Sequence, residues 1–113
     1  MEFNGNKSIY LQITDIICDR ILSHELKPGD RIPSVRDAGA DFQVNPNTIA
    51  RSYEKLTDEG IIYNRRGIGY FIADGAFDTV LEQQRIEFIE HELPQIKRRL
   101  QLLDLNPSDI FQS

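Results

Sequence analysis

The hydrophobic pattern changes period at Gly60, and that change limits the chain to few folds. Before Gly60, apolar residues recur at three- and four-residue intervals, as on helices. After it, "IIYN" and "GYFIA" read as two strands. The link "RRGIG" between them carries Gly67 and Gly69, which permit a tight hairpin. Helical segments that feed a short hairpin predict a mostly α chain with a small β element.

The helices before the switch carry start and stop signals. Residues 8–24 place Ile9, Ile13, Ile16, Ile17 and Ile21 on one face, with Ser8 in position to cap. Pro28-Gly29 marks a turn, and Arg31-Ile32 reads as a brief strand. A second helix opens at "PSVRDAGADF". Ser34 caps it, and Asp37 three residues on gives a box-like pattern. Gly39 lies inside this helix and weakens it by about 1 kcal/mol relative to alanine. After the turn Gln43-Val44-Asn45, a third helix runs from Pro46 to about Glu59, with Asn45 as N-cap and Gly60 as the stop. Its inward face is Ile49, Tyr53 and Leu56.

Asp74-Gly75 is a second boundary, which divides the chain into residues 1–74 and an arm, residues 75–113. The arm is helical in pattern, with an apolar stripe of Val80, Leu81, Phe88, Ile89, Leu93, Ile96, Leu100 and Leu103. Pro94 is expected to kink or split it, with two helices near 76–92 and 94–104 favoured over one. "NPSD" at 106–109 opens a last turn. So short an arm cannot bury its stripe alone, and it must pack on the first domain or on another chain. A second copy is favoured, with Leu81, Phe88, Ile89, Leu93, Ile96 and Leu100 as dimerisation residues.

Several function classes fall away. No Ser/His/Asp or Cys/His pairing, no phosphate loop after a strand and no paired carboxylates in a plausible pocket are visible, so no catalytic residues and no enzyme are expected. His24 and His91 lack ligand-like spacing, so no metal and no cofactor are expected. The single cysteine, Cys18, sits among isoleucines and reads as a core residue. No signal peptide and no apolar run of membrane-spanning length is seen, and the expected compartment is the cytoplasm.

What remains is a binding module. Three helices with a tight turn between the second and third, then a hairpin, describe a winged helix-turn-helix. In that geometry the first turn of the third helix faces base edges in the major groove. Asn47, Thr48 and Arg51 suit this, since Asn can pair with adenine and Arg with guanine, while Thr offers a hydroxyl and a methyl. Ser34 and Arg36 open the second helix, where amides and a guanidinium can hold a phosphate. Arg65 and Arg66 lie at the hairpin tip, where a wing meets the adjacent backbone or minor groove. The net charge of −5 argues against nucleic acid. Yet Arg31–Ile72 carries six basic residues (Arg31, Arg36, Arg51, Lys55, Arg65, Arg66) against five acidic ones, while the arm is acidic. Phosphate binding needs a basic face, not a basic chain. The competing reading is a winged-helix protein–protein adaptor without specific DNA binding.

Residues 8–73 resemble the DNA-binding domain of the GntR family of bacterial transcription regulators. The features are "PGDRIPSVR" at 28–36, "VNPNT" at 44–48, and Glu-Gly-Ile-Ile followed by Arg-Arg-Gly-x-Gly-x-Phe over 59–71. The short arm resembles the YtrA subfamily, whose two small C-terminal helices mediate dimerisation. The resemblance implies a homodimeric repressor on a palindromic double-stranded DNA operator, and leaves room for an unidentified small-molecule effector. It implies DNA contacts from Ser34, Arg36, Asn45, Asn47, Thr48, Arg51 and the wing around Arg66, Gly67 and Gly69. Pro46, Ala50 and Ile68 stand where many relatives carry basic residues. Ala38 and Gly39 replace the usual Leu-Ala, which predicts looser packing of the second helix.

Overall fold

Ile13, Thr14, Ile17, Cys18 and Ile21 form the buried face of the first helix, α1 (Ile9–Leu22). The structure is a computed structural model that describes residue 3 and residues 5–111. Ser8 stands at the N-cap of α1, but its hydroxyl makes no capping bond. The helix stops at Leu22 rather than running to 24, and His24 follows with a left-handed φ of 64°. Next come β1 (Arg31–Ile32), α2 (Val35–Phe42) and α3 (Pro46–Asp58). The hairpin is β2 (Ile62–Arg65) and β3 (Gly69–Ile72).

β1 joins that hairpin. The sheet runs β1-β3-β2, antiparallel throughout, with Arg31 opposite Phe71, Tyr63 opposite Phe71, and Arg65 opposite Gly69. The loop before α2 is thereby tied to the wing.

The core gathers apolar faces from every early element. Ile13 of α1, Ile49 and Leu56 of α3, Ile61, and Ile72 of β3 are fully buried, and Ile32 and Phe42 nearly so. Each such side chain contributes roughly 1.5–3 kcal/mol relative to an exposed one. Buried polar groups are satisfied: Tyr53 Oη donates to Pro33 O at 2.7 Å, and Ser52 Oγ to Tyr10 O at 2.6 Å. Among the described residues no buried side-chain nitrogen or oxygen lacks a partner.

The remaining elements are α4 (Ala76–Glu87), a π-helical turn (Phe88–Glu92), α5 (Leu93–Leu102) and α6 (Pro107–Ile110). The chain forms two compact units, Met1–Leu81 and Glu82–Ser113, against a boundary expected after residue 74. The difference has a cause: Ala76 and Val80 are fully buried in the first core. Val80 is therefore a core residue and not part of an exposed stripe.

The α-helical run is interrupted near Pro94 as expected, but by the π-helical turn, so the two helices span Ala76–Glu87 and Leu93–Leu102 rather than 76–92 and 94–104. The backbone stays helical at Glu87 and Leu93, and Leu93 N–H donates to Phe88 O, five residues back. The wide turn makes room for the proline ring, which would otherwise strike the carbonyl four residues before it. In the second unit Phe88, Ile89, Ile96, Leu102, Leu103, Leu105, Ile110 and Phe111 are exposed, while Leu93 and Leu100 are half-buried. No helix among the described residues is long and apolar enough to cross a membrane.

Candidate nucleic-acid interface

The turn between α2 and α3 is set by three residues. Gln43 adopts a left-handed φ of 58°, and Val44 N–H returns to Gly39 O at 2.9 Å, which closes α2 in the manner of a Schellman cap. A Cβ on Gly39 would lie 3.1 Å from Val44 O and 3.2 Å from Pro46 Cγ. Gly39 is thus the point of closest approach between α2 and the start of α3. The expectation of a loosely packed second helix is corrected: the missing side chain is what lets the two helices meet.

α3 then opens as its sequence requires. Asn45 Oδ1 accepts from Asn47 N–H at 2.8 Å, and Pro46 follows at the first helical position. That bond engages the side-chain carbonyl of Asn45, an exposed residue. Asn47 and Arg51 are exposed and four residues apart, so they share one helix face; Thr48 is half-buried beside them.

Arg51 has a partner that periodicity does not reveal. Its guanidinium carbon lies 4.0 Å from the ring centroid of Tyr10, in the first turn of α1. Ser52 holds the Tyr10 carbonyl, so adjacent residues of α3 grip both ends of one tyrosine. Past Arg51 the exposed charges turn acidic. Glu54 and Asp58 border the same depression as Tyr10 and Arg51, with Glu59 paired to Lys55 at 2.7 Å. A helix polar or basic at its start and acidic towards its end suits entry into an anionic groove by its N-terminal turn.

The start of α2 is a second anchor. Ser34 Oγ accepts from Asp37 N–H at 3.1 Å, and Ser34 and Arg36 are exposed. The Tyr53 bond to Pro33 O fixes this start against the middle of α3. Burial, then Tyr70 and Asp41, push the Tyr53 phenol up to about 12, so it remains a neutral donor.

The wing is a compact turn. Ile68 N–H donates to Arg65 O at 2.8 Å, with Gly67 at φ 80° and Gly69 at φ 147°. Arg66 stands exposed at the tip. Arg65 lies over Phe71 at 5.5 Å, and Phe71 stacks on Tyr63 at 5.7 Å. From β1, Arg31 Nη2 donates to Ile68 O at 2.6 Å. Tyr10 and Arg31 are absent from the sequence-derived set because their partners lie 41 and 37 residues away, beyond any local spacing.

Every residue expected at the interface, Ser34, Arg36, Asn45, Asn47, Thr48, Arg51, Arg65, Arg66, Gly67 and Gly69, belongs to the first compact unit. Among the described residues no group of His, Cys, Asp and Glu could hold a metal. Burial, with Asp15, Glu59 and Asp19 adding to it, pushes the Cys18 thiol up to about 12, as expected of an inert core residue.

Comparison with known proteins places these features in company. Residues 9–72 match the family described as bacterial regulatory proteins, gntR family. The chain is 43% identical over 98 residues to the HTH-type transcriptional regulator YhcF of Bacillus subtilis, covering 85% of this chain and 81% of that one. It is 38% identical over 88 residues to the HTH-type transcriptional repressor YtrA of Bacillus subtilis, covering 78% and 67%. Among solved structures, a GntR family transcriptional regulator from Listeria monocytogenes superposes with a TM-score of 0.76 at 30% identity, covering 96% of this chain and 93% of that one.

Proposed function

Because this chain belongs to the gntR family of bacterial regulatory proteins, and within it to the YtrA type, we propose that it is a homodimeric repressor that reads a palindromic operator. It is a DNA-binding transcriptional regulator and not an enzyme. The observation that carries the finer reading is the opening of α3. Asn47 and Arg51 are exposed one turn apart, on a helix start locked by the Asn45 cap and by the packing of Gly39.

In this reading Asn47, Thr48 and Arg51 address base edges. Ser34, Arg36 and the amides that open α2 hold one phosphate strand. Asn45 contributes its amide NH2 group. Arg65, Arg66, Gly67 and Gly69 bring the wing to the neighbouring backbone or minor groove. The apolar stripe of the arm, exposed at Phe88, Ile89 and Ile96 and half-buried at Leu81, Leu93 and Leu100, joins two copies, so two α3 helices lie about 34–36 Å apart, one DNA turn. A small effector that alters the arm would alter that spacing. The protein works in the cytoplasm.

The test is a gel-shift series on duplexes selected from a random pool, run across salt concentrations. Specific binding should weaken as salt rises. Asn47→Ala should remove specific binding and leave non-specific binding nearly intact. Truncation after Leu81 leaves the first unit whole and should lower operator affinity far more than non-specific affinity. Binding unaffected by salt, or absent on all duplexes, contradicts the proposal and favours a protein partner.

A further inference from the structure

The wing turn is held from outside the hairpin, by a residue of the strand that precedes the helix-turn-helix. Arg31 on β1 donates from Nη2 to the Ile68 carbonyl at 2.6 Å, and Ile68 is the residue between the two wing glycines. The guanidinium also lies against Gly69. A Cβ there would stand 3.0 Å from Arg31 Nε, 3.3 Å from Nη2 and 3.5 Å from Cζ. Three atoms at similar distances describe a planar group laid along the glycine backbone, a fit that a guanidinium offers and an ammonium does not. Gly69 is thus required twice, once for its φ of 147° and once for the space that Arg31 fills.

We propose that Arg31 is the positioning residue of the wing: it fixes the 65–69 turn in the conformation that presents Arg66 to DNA. The inference rests on the reading that the wing touches DNA. β1 has only two residues, and beyond the ladder that pairs Arg65 with Gly69 the hairpin turn carries the backbone bond Ile68 N–H to Arg65 O. Without Arg31 that turn keeps its two glycines and the Arg65–Phe71 contact, and loses the side-chain hydrogen bond to the Ile68 carbonyl. The wing then samples more conformations, and fixing it on DNA costs entropy that the free protein has already lost in the native arrangement. Arg31 is exposed and outside the core, so its replacement leaves the fold in place.

The role is read by a double-mutant cycle on a duplex selected by the protein itself, together with amide NMR of the free protein. The variants are Arg31→Met, Arg31→Lys and Arg66→Ala. Arg66→Ala alone should weaken operator binding by roughly tenfold, as expected of one lost contact. Arg31→Met should shift the Ile68 and Gly69 amide resonances and weaken binding. Its effect should shrink markedly in the Arg66→Ala background, because the contact it positions is already gone. Arg31→Lys keeps a donor and should recover part of the affinity. Unmoved amides in Arg31→Met, or Arg31→Met and Arg66→Ala effects that multiply in full, would overturn the proposal and leave Arg31 an independent contact or a bystander. If Arg66→Ala costs nothing, the wing contact itself is wrong and the inference falls with it.

Discussion

A Cβ on Gly39 would press on the Val44 carbonyl at 3.1 Å and on the Pro46 ring at 3.2 Å, both held by the caps that join α2 to α3. Helix propensity alone says that Gly39→Ala should stabilise the protein by about 1 kcal/mol. The contacts say otherwise, since overpacking beside fixed backbone costs about 1–3 kcal/mol. Gly39→Ala should therefore lower the melting temperature, and an increase would contradict this account of the turn. Local spacing identified the caps at Ser34 and Asn45 because a cap is written in neighbouring residues. It misread Gly39 because what meets that glycine sits in the next helix. Tyr10 and Arg31 were illegible for the same reason. A second residue-scale expectation concerns alkaline pH. Cys18 and Tyr53 are neutral when protonated, and burial raises both to about 12 from ordinary values of 9.0 and 10.0. Their contribution to stability is complete below about pH 9 and is lost as pH rises towards 12. Thermal unfolding should show a fall over that range, shallower in Tyr53→Phe than in the native chain; equal slopes would contradict it.

At the scale of elements, α1 to β3 were legible in order and nearly in extent, because each carries its own period, cap or glycine stop. The joining of β1 to β3 was not, since strand pairing is a long-range choice that two residues cannot announce. The arm was half legible. Its exposed apolar residues follow the sequence pattern and an interruption near Pro94 is legible, but not its form, the widened turn Phe88–Glu92. That turn has a consequence for the second unit. An extra residue in a helical turn rotates everything after it by about 100°. The depression bordered by Phe88 and Ile89 meets the one bordered by Ile96, Leu100 and Leu103 at Glu92. Pro94→Ala removes the ring that the wide turn accommodates. It should let the segment relax to regular α-helix, break this continuity and weaken dimerisation by sedimentation analysis. Unchanged association would show that the stripe does not depend on the turn.

For the whole molecule, composition pointed away from nucleic acid, and position outweighed it. The first unit combines an exposed, polar α3 start with the cations of the wing, while the acidic side chains Glu54 and Asp58 sit towards the far end of α3. Beyond Ala76 seven acidic residues stand against four basic ones, whereas Arg31–Ile72 carries six basic residues against five acidic ones. Salt-dependent binding by an acidic protein is therefore expected here, and the arm supplies the second copy that a twofold operator requires. In the proposed assembly two α3 helices, set by the arm, read two half-sites with the wings beside them. Hydroxyl-radical footprinting of the selected duplex measures this directly. Two symmetric blocks of protection should appear, centred about one DNA turn apart, with the wing-side protection lost in Arg66→Ala. A single block, or protection unchanged by Arg66→Ala, would contradict it.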